Sequence, residues 1–337
     1  MKRDEMMQGR ERLERFALIQ AEIDRVERIL QDLTSVSPRP LWAAVQDMIE
    51  AGGKRLRPAM VITCSYFGPR RDQRQDQVTQ AAAAIEIIHL ATLIHDDIID
   101  NSPLRRGVPA LHERFGKEVA VFAGDYLLSQ ALSMLVTGMP PGLLGTISDS
   151  LKTLCLGEIR QFTHRYDLEV SPDEHLDIIQ QKTASLFSLA CFTGASISEA
   201  PPTIVRSLQT YGMHLGMLFQ IVDDILDLYG SEAETGKPPG RDLEDGIYTL
   251  PIIYTLTTRE FRARLKPYLR GGAGAPVSDR DIAGIAAIVR EAGGLDHARA
   301  VAGHMAALAR EALSSLPDVP HRCLLADFID FAQNRGY

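Results

Sequence analysis

The chain has 337 residues, 45% hydrophobic and 24% charged, enough apolar material for a large core. Its net charge of −8 gives no basic field for nucleic acid, and the N-terminus (Met1-Lys2-Arg3-Asp4-Glu5) lacks the apolar stretch of a secretory signal. No uncharged apolar run reaches the ~18 residues that span a bilayer, and four scattered cysteines (Cys64, Cys155, Cys191, Cys323) read as reduced core thiols of a cytoplasmic protein.

Phe16, Ile19, Ile23, Val26 and Leu30, continuing from Leu13, recur at threes and fours and predict an amphipathic helix. A second is expected over 41–51. Residues 81–99, 119–136, 178–197 and 205–228 are apolar on nearly every face and predict central buried helices. Breaks fall at Gly68-Pro69, 138–142, Pro201-Pro202, 230–246 and 271–276. Alternating strand patterns are scarce and no glycine-rich strand-turn-helix occurs. These patterns predict one all-α domain over 1–337, roughly ten to thirteen helices around a central cavity.

Two acidic motifs stand at the ends of apolar runs: Asp96-Asp97-Ile98-Ile99-Asp100 and Asp223-Asp224-Ile225-Leu226-Asp227. In a helix the first and last Asp of each share one face. Asn101-Ser102-Pro103 puts the first motif at a helix C-terminus, where carboxylates face the negative end of the macrodipole and need a cation. Oxygen-only donors point to a hard divalent ion, Mg2+. Basic groups answer the acids: Lys54, Arg55 and Arg57 in Gly52-Gly53-Lys54-Arg55-Leu56-Arg57-Pro58, Arg105-Arg106 after the first motif, Lys182-Thr183 inside an apolar helix, and Lys237 after the second motif. Carboxylates for metal plus two groups of cations suit pyrophosphate as a ligand. No Walker loop, kinase signature or serine triad is present, which favours diphosphate as a leaving group over phosphoryl transfer.

With Gly124-Asp125-Tyr126, Gly157-Glu158-Ile159-Arg160-Gln161, Lys182-Thr183-Ala184-Ser185-Leu186 and Gly236-Lys237-Pro238-Pro239-Gly240-Arg241-Asp242, in order over about 40–260, the chain resembles the trans-isoprenyl diphosphate synthases (polyprenyl synthetase family). The resemblance implies an isoprenoid-synthase helical bundle, usually a homodimer, that condenses isopentenyl diphosphate with an allylic diphosphate using about three Mg2+ ions. It assigns Asp96, Asp100 and Asp223 to the metals, with Asp97, Asp224 and Asp227 supporting. Lys54, Arg57, His89 and Arg106 fall to isopentenyl diphosphate. Arg105, Lys182 and Lys237 fall to the allylic diphosphate, with Thr183 and Gln220 near the carbocation. One departure is Ile247, where many relatives carry a lysine. Small Ala91 and Thr92, five and four residues before Asp96, with Ile88 deeper, leave open a tunnel that aromatic residues close in short-chain relatives. The expected product has about six to eight isoprene units, with Phe122 a candidate floor. A class I terpene cyclase would need no second diphosphate site, and a regulatory subunit would lose acids that are complete here. The remaining alternatives are the catalytic half of a heterodimeric synthase and a geranylgeranyl or farnesyl diphosphate synthase.

Overall fold

The computed structural model describes residues 15–33, 39–105, 107–138, 141–230, 239–269 and 278–335. Among these, α-helices account for nearly all regular structure, with one two-stranded antiparallel hairpin, Leu104–Arg105 against Val108–Pro109. Sixteen α-helical segments among the described residues exceed the number expected, because short ones such as Leu111–Phe115 and Arg241–Glu244 carry too few residues to show a periodicity. The chain divides into two compact units.

The first unit comprises Met1–Ser148, Leu189–Gln209 and Ser315–Asp327. Its centre is the helix Gln75–Ile99, whose Val78, Ala81, Ala84, Ile85, Ile88 and Ile94 are all buried. Helices Gln20–Asp32, Leu56–Ser65 and Lys117–Gly138 pack on it. Buried Glu86 on that central helix is met by Arg55 Nη1 at 3.0 Å, and Arg55 also bonds Glu27 at 2.6 Å and the Ile49 carbonyl at 2.9 Å. Arg55 holds this position with φ of 45°, a left-handed conformation uncommon outside glycine. Gly194 lies so close to the Val61 carbonyl that any side chain there would collide with backbone.

Helix Lys117–Gly138 departs from the expectation of central burial. Ala120, Ala123, Leu127, Ala131 and Leu135 are buried, whereas Val119, Phe122, Tyr126, Leu132 and Val136 are exposed. By length and composition the segment Lys117–Val136 could cross a membrane, but its small-residue face packs on Gln75–Ile99 as a core helix does. Cysteine burial is also split: Cys64 and Cys191 are buried, Cys155 and Cys323 exposed.

The second unit comprises Asp149–Ser188, Thr210–Ser314 and Phe328–Tyr337. Leu228, Tyr248, Ile252, Ile253, Leu256, Leu265, Ile285 and Val289 form its apolar core. Helix Pro172–Ile179 begins at a capping box, in which Ser171 Oγ accepts from Glu174 N and Glu174 Oε2 accepts from Ser171 N at 2.9 Å. It continues through a π-helical turn, Gln180–Ala184, into Ser185–Ile197.

Two histidines tie stability to pH. His321 stacks on Tyr66 with ring centroids 3.6 Å apart, and His297 stacks on Tyr254 at 4.0 Å. Burial holds both imidazoles below the ordinary value of 6.5. The unfolded chain therefore binds these protons more readily, so stability is full above pH 6.5 and falls as pH drops below it. Thermal unfolding from pH 8 to pH 5 should show Tm declining across that window. His321→Phe keeps the stacking, removes a buried Nε2 that has no hydrogen-bond partner among the described residues, and should flatten part of the decline. An unchanged pH profile in that variant would remove His321 from the explanation.

Candidate active site

In the first unit the acidic motif occupies the last turn of Gln75–Ile99, as its Asn-Ser-Pro sequel predicts. Asp100 is the C-cap, and its N–H donates to the Asp96 carbonyl at 2.8 Å. Asp96 and Asp100 are half-buried one turn apart, while Asp97 is only 1% exposed. The hairpin turns at Gly107, with φ of 82°, and brings Arg105 back onto Asp97. Arg105 Nε donates to Asp97 Oδ1 at 2.8 Å and Nη2 makes a second contact to the same oxygen. Burial pushes the Asp97 carboxyl up, against the opposing pull of Arg105. Arg105, assigned above to the allylic diphosphate, is thus engaged with Asp97. Asp97, assigned a supporting place at the metals, meets that arginine through Oδ1 alone of its two oxygens. Arg106 lies outside the described residues.

The glycine-initiated basic segment divides its labour. Arg55 turns inward to Glu27 and Glu86, whereas Lys54 is exposed and Arg57, in the first turn of Leu56–Ser65, is half-buried. His89 lines a small cavity with Arg55, Glu86, Leu90 and Leu93. Along the same helix Ile88 and Ala91 are buried, and Thr92 Oγ1 donates to the His89 carbonyl at 2.8 Å. Phe122 is 71% exposed and points away from the interior of its chain, so it cannot floor a tunnel there.

In the second unit, helix Pro202–Tyr229 carries Asp223 and Asp227 half-buried on one face and Asp224 only 2% exposed. Asp224 Oδ2 accepts from His175 Nε2 at 2.7 Å and from the Leu250 N–H at 3.4 Å, and its Oδ1 accepts from Gln220 Nε2 at 3.1 Å. Gln220 Oε1 accepts from Thr183 Oγ1 at 2.9 Å. A polar chain therefore runs Thr183–Gln220–Asp224–His175, and it fixes the rotamers of both residues assigned to the carbocation. Asp224 thus accepts three hydrogen bonds, which fix it at the centre of this chain. Asp227 Oδ1 accepts from the Asp242 N–H at 3.3 Å and anchors the helix end to the Gly240–Asp242 turn.

Lys182 and Thr183 sit in the π-helical turn, a distortion frequent at functional sites. Two glycines allow its close packing: a Cβ on Gly157 would lie 2.5 Å from the Lys182 nitrogen, and one on Gly216 would lie 2.5 Å from Ala184 Cα. Lys182 Nζ pairs with Glu158 Oε2 at 2.9 Å, the charged partner that a lysine among core positions requires. Ile247 lines a small cavity with His164, His175 and Tyr248, and supplies no cation there. Lys237 lies outside the described residues. Sequence reasoning missed His175 and the pairing role of Glu158. His175 had only its place after a capping box to mark it, and Glu158 only its charge beside Gly157.

Both motifs repeat one design, outer acids half-buried and the middle acid buried against a basic side chain, Arg105 in one and His175 in the other. Among the described residues no three acidic, histidine or cysteine side chains are already gathered for a metal. A divalent ion on Asp96 and Asp100, or on Asp223, would complete its shell with water and diphosphate oxygens, which suits Mg2+ better than a dedicated protein cage. An all-α fold that carries two such aspartate motifs with lysines and arginines suits the binding of diphosphate through divalent ions.

Comparison with known proteins agrees. Residues 38–280 match the model of the polyprenyl synthetase family. The chain is 36% identical to the nonaprenyl diphosphate synthase of Mycobacterium tuberculosis, over 95% of this chain and 94% of that protein. It is 31% identical to heptaprenyl diphosphate synthase component 2 of Geobacillus stearothermophilus, over 96% and 98%. The crystal structure of a Caulobacter crescentus polyprenyl synthase complexed with calcium and isoprenyl diphosphate superposes with a TM-score of 0.87 at 31% identity, covering 96% and 98% of the two chains. The chain belongs to the polyprenyl synthetase family and is a prenyltransferase, a polyprenyl diphosphate synthase.

Proposed function

We propose that this enzyme builds an all-trans polyprenyl diphosphate of about six to eight isoprene units by successive addition of isopentenyl diphosphate to an allylic primer such as farnesyl diphosphate. The observation that carries the reading is the repeated motif design, which leaves Asp96, Asp100, Asp223 and Asp227 as the outward acids of the two helices. Mg2+, about three ions, would supply the positive charge that stabilises diphosphate as it departs. Lys182 adds charge to the same group, and the Thr183 and Gln220 oxygens, held by Asp224, face the carbon left cationic. Lys54, Arg57, His89 and Arg106 hold isopentenyl diphosphate, whose double bond attacks that carbon. The released diphosphate takes the final proton. Since the family match spans residues of both compact units, we treat them as one catalytic domain.

The protein is proposed to act as a homodimer in the cytoplasm. Exposed Val119, Phe122, Leu132 and Val136 on one helix, and Leu156, Ile159 and Phe162 on helix Pro141–Thr163, are apolar surface of the kind that subunit contacts cover. A heterodimer is the second reading, favoured by the relative named as component 2 of a synthase. Chromatography of radiolabelled products from purified protein with isopentenyl and farnesyl diphosphates tests the activity. A chain inactive alone but rescued by a co-purifying subunit would favour the second reading. Cyclised hydrocarbon would refute both.

The two substrate sites separate by mutation. Lys54→Ala should raise the KM for isopentenyl diphosphate by about tenfold or more, and Lys182→Ala that for the allylic substrate, each losing a charge-assisted contact of ~1.5–3 kcal/mol. Steady-state kinetics with each substrate varied in turn reads this. Equal effects on both substrates from both variants would contradict two sites.

A further inference from the structure

Asp223 has a protein partner that the motif does not supply. Arg335, in the turn after helix Pro320–Gln333, places its guanidinium 4.1 Å above the Phe219 ring and Nη1 3.0 Å from Asp223 Oδ1. Phe219 and Asp223 are one turn apart on the same helix, so a single arginine covers both. Phe219 is itself set by a tilted contact with Phe187 at 5.4 Å. Arg335 Nη1 is buried yet has no aligned hydrogen bond among the described residues, so its contact with Asp223 is an ion pair alone.

These details fit a contact made to be broken. Arginine cannot lose its charge, so Asp223 always faces a monocation when Arg335 is docked. The stacking on Phe219 pre-orients the guanidinium and reduces the entropy lost in pairing. An ion pair that is partly exposed and lacks directional bonding is weak, so a divalent cation at the same carboxylate outcompetes it. We propose that Arg335 is a built-in counter-ion that competes with the divalent metal for Asp223, so that metal loading at the second motif releases the C-terminal turn. This rests on the reading of Asp223 as a metal ligand.

Free Mn2+ measured by electron paramagnetic resonance, in the presence of inorganic pyrophosphate, gives the metal affinity of the full chain. Arg335→Gln should bind Mn2+ about two- to fivefold tighter than wild type, with Arg335→Lys between them. Trypsin cleavage after Arg335, followed by intact mass, gives a second readout. Mg2+ with pyrophosphate should accelerate it in wild type, while Asp223→Asn should be cleaved quickly with or without metal. Unchanged or weaker Mn2+ binding in Arg335→Gln, alongside weaker binding in Asp223→Asn, would leave Asp223 as a ligand and overturn the competition. Wild-type Mn2+ binding in Asp223→Asn would instead overturn the metal assignment, and the proposal with it.

Discussion

Asp96→Ala and Asp223→Ala should each lower turnover by about 10³-fold while the protein unfolds no lower than wild type. Both side chains are half-buried, and the ion pair of Asp223 with Arg335 is partly exposed and therefore weak. Asp96 also faces the negative end of its helix, where a carboxylate is unfavourable, so Asp96→Asn should hold or raise Tm. The adjacent acids should behave in the opposite way. Asp97→Ala strands Arg105 and Asp224→Ala strands His175 and Gln220, each in a buried setting. Breaking such pairs costs about 3–5 kcal/mol, and Tm should fall accordingly. Turnover with Mg2+ and with EDTA, beside thermal unfolding of all four alanine variants, separates the two kinds of aspartate. Full activity in EDTA, or undiminished turnover in Asp96→Ala, would end the metal assignment. Unperturbed stability in both Asp97→Ala and Asp224→Ala would show that the middle acids are not structural supports.

What the sequence could show follows from how local each signal is. The motif at a helix C-terminus was legible because Pro103 and the uniform apolar run before Asp96 are neighbours in the chain. That Asp97 and Asp224 turn inward was not, because their partners are remote. Arg105 returns through a hairpin made by Gly107, and His175 stands 49 residues before Asp224. The start of the third long buried helix, expected at 178, is at Pro172. Its Ser171-Pro172-Asp173-Glu174 cap was present in the sequence, but it precedes the apolar run that was read. The π-helical turn had no sequence signature, since it depends on the backbones at Gly157 and Gly216 approaching it from other helices. Helix Lys117–Gly138 misled because an apolar surface that faces outward reads the same in sequence as an apolar core.

Product length should change most sharply at Ala91. On the proposed reading a growing prenyl chain leaves the metals along Gln75–Ile99, and each turn passed is about 5.4 Å, close to one isoprene unit. Ala91 is buried one turn and a residue before Asp96, and Thr92 beside it turns its hydroxyl to the His89 carbonyl, so neither presents bulk or an unmet polar group. Ile88, fully buried, is the large aliphatic side chain one turn deeper on the face that carries Ala91 and Thr92. With Phe122 pointing outward, the floor must be sought beyond Ile88 rather than at that aromatic. Two readings of Ala91 then diverge in stability as well as in product. If it borders a lumen, Ala91→Phe fills space that the prenyl chain would occupy, so Tm should hold and the product should shorten to about three or four units. If Ala91 only allows helices to approach, the added ring overpacks a closed core, at a cost of about 1–3 kcal/mol, and leaves product length unchanged. Product chromatography and thermal unfolding on the same variant decide between them. A shorter product at wild-type Tm places the tunnel along this face of the helix; a wild-type product with a lowered Tm places it elsewhere.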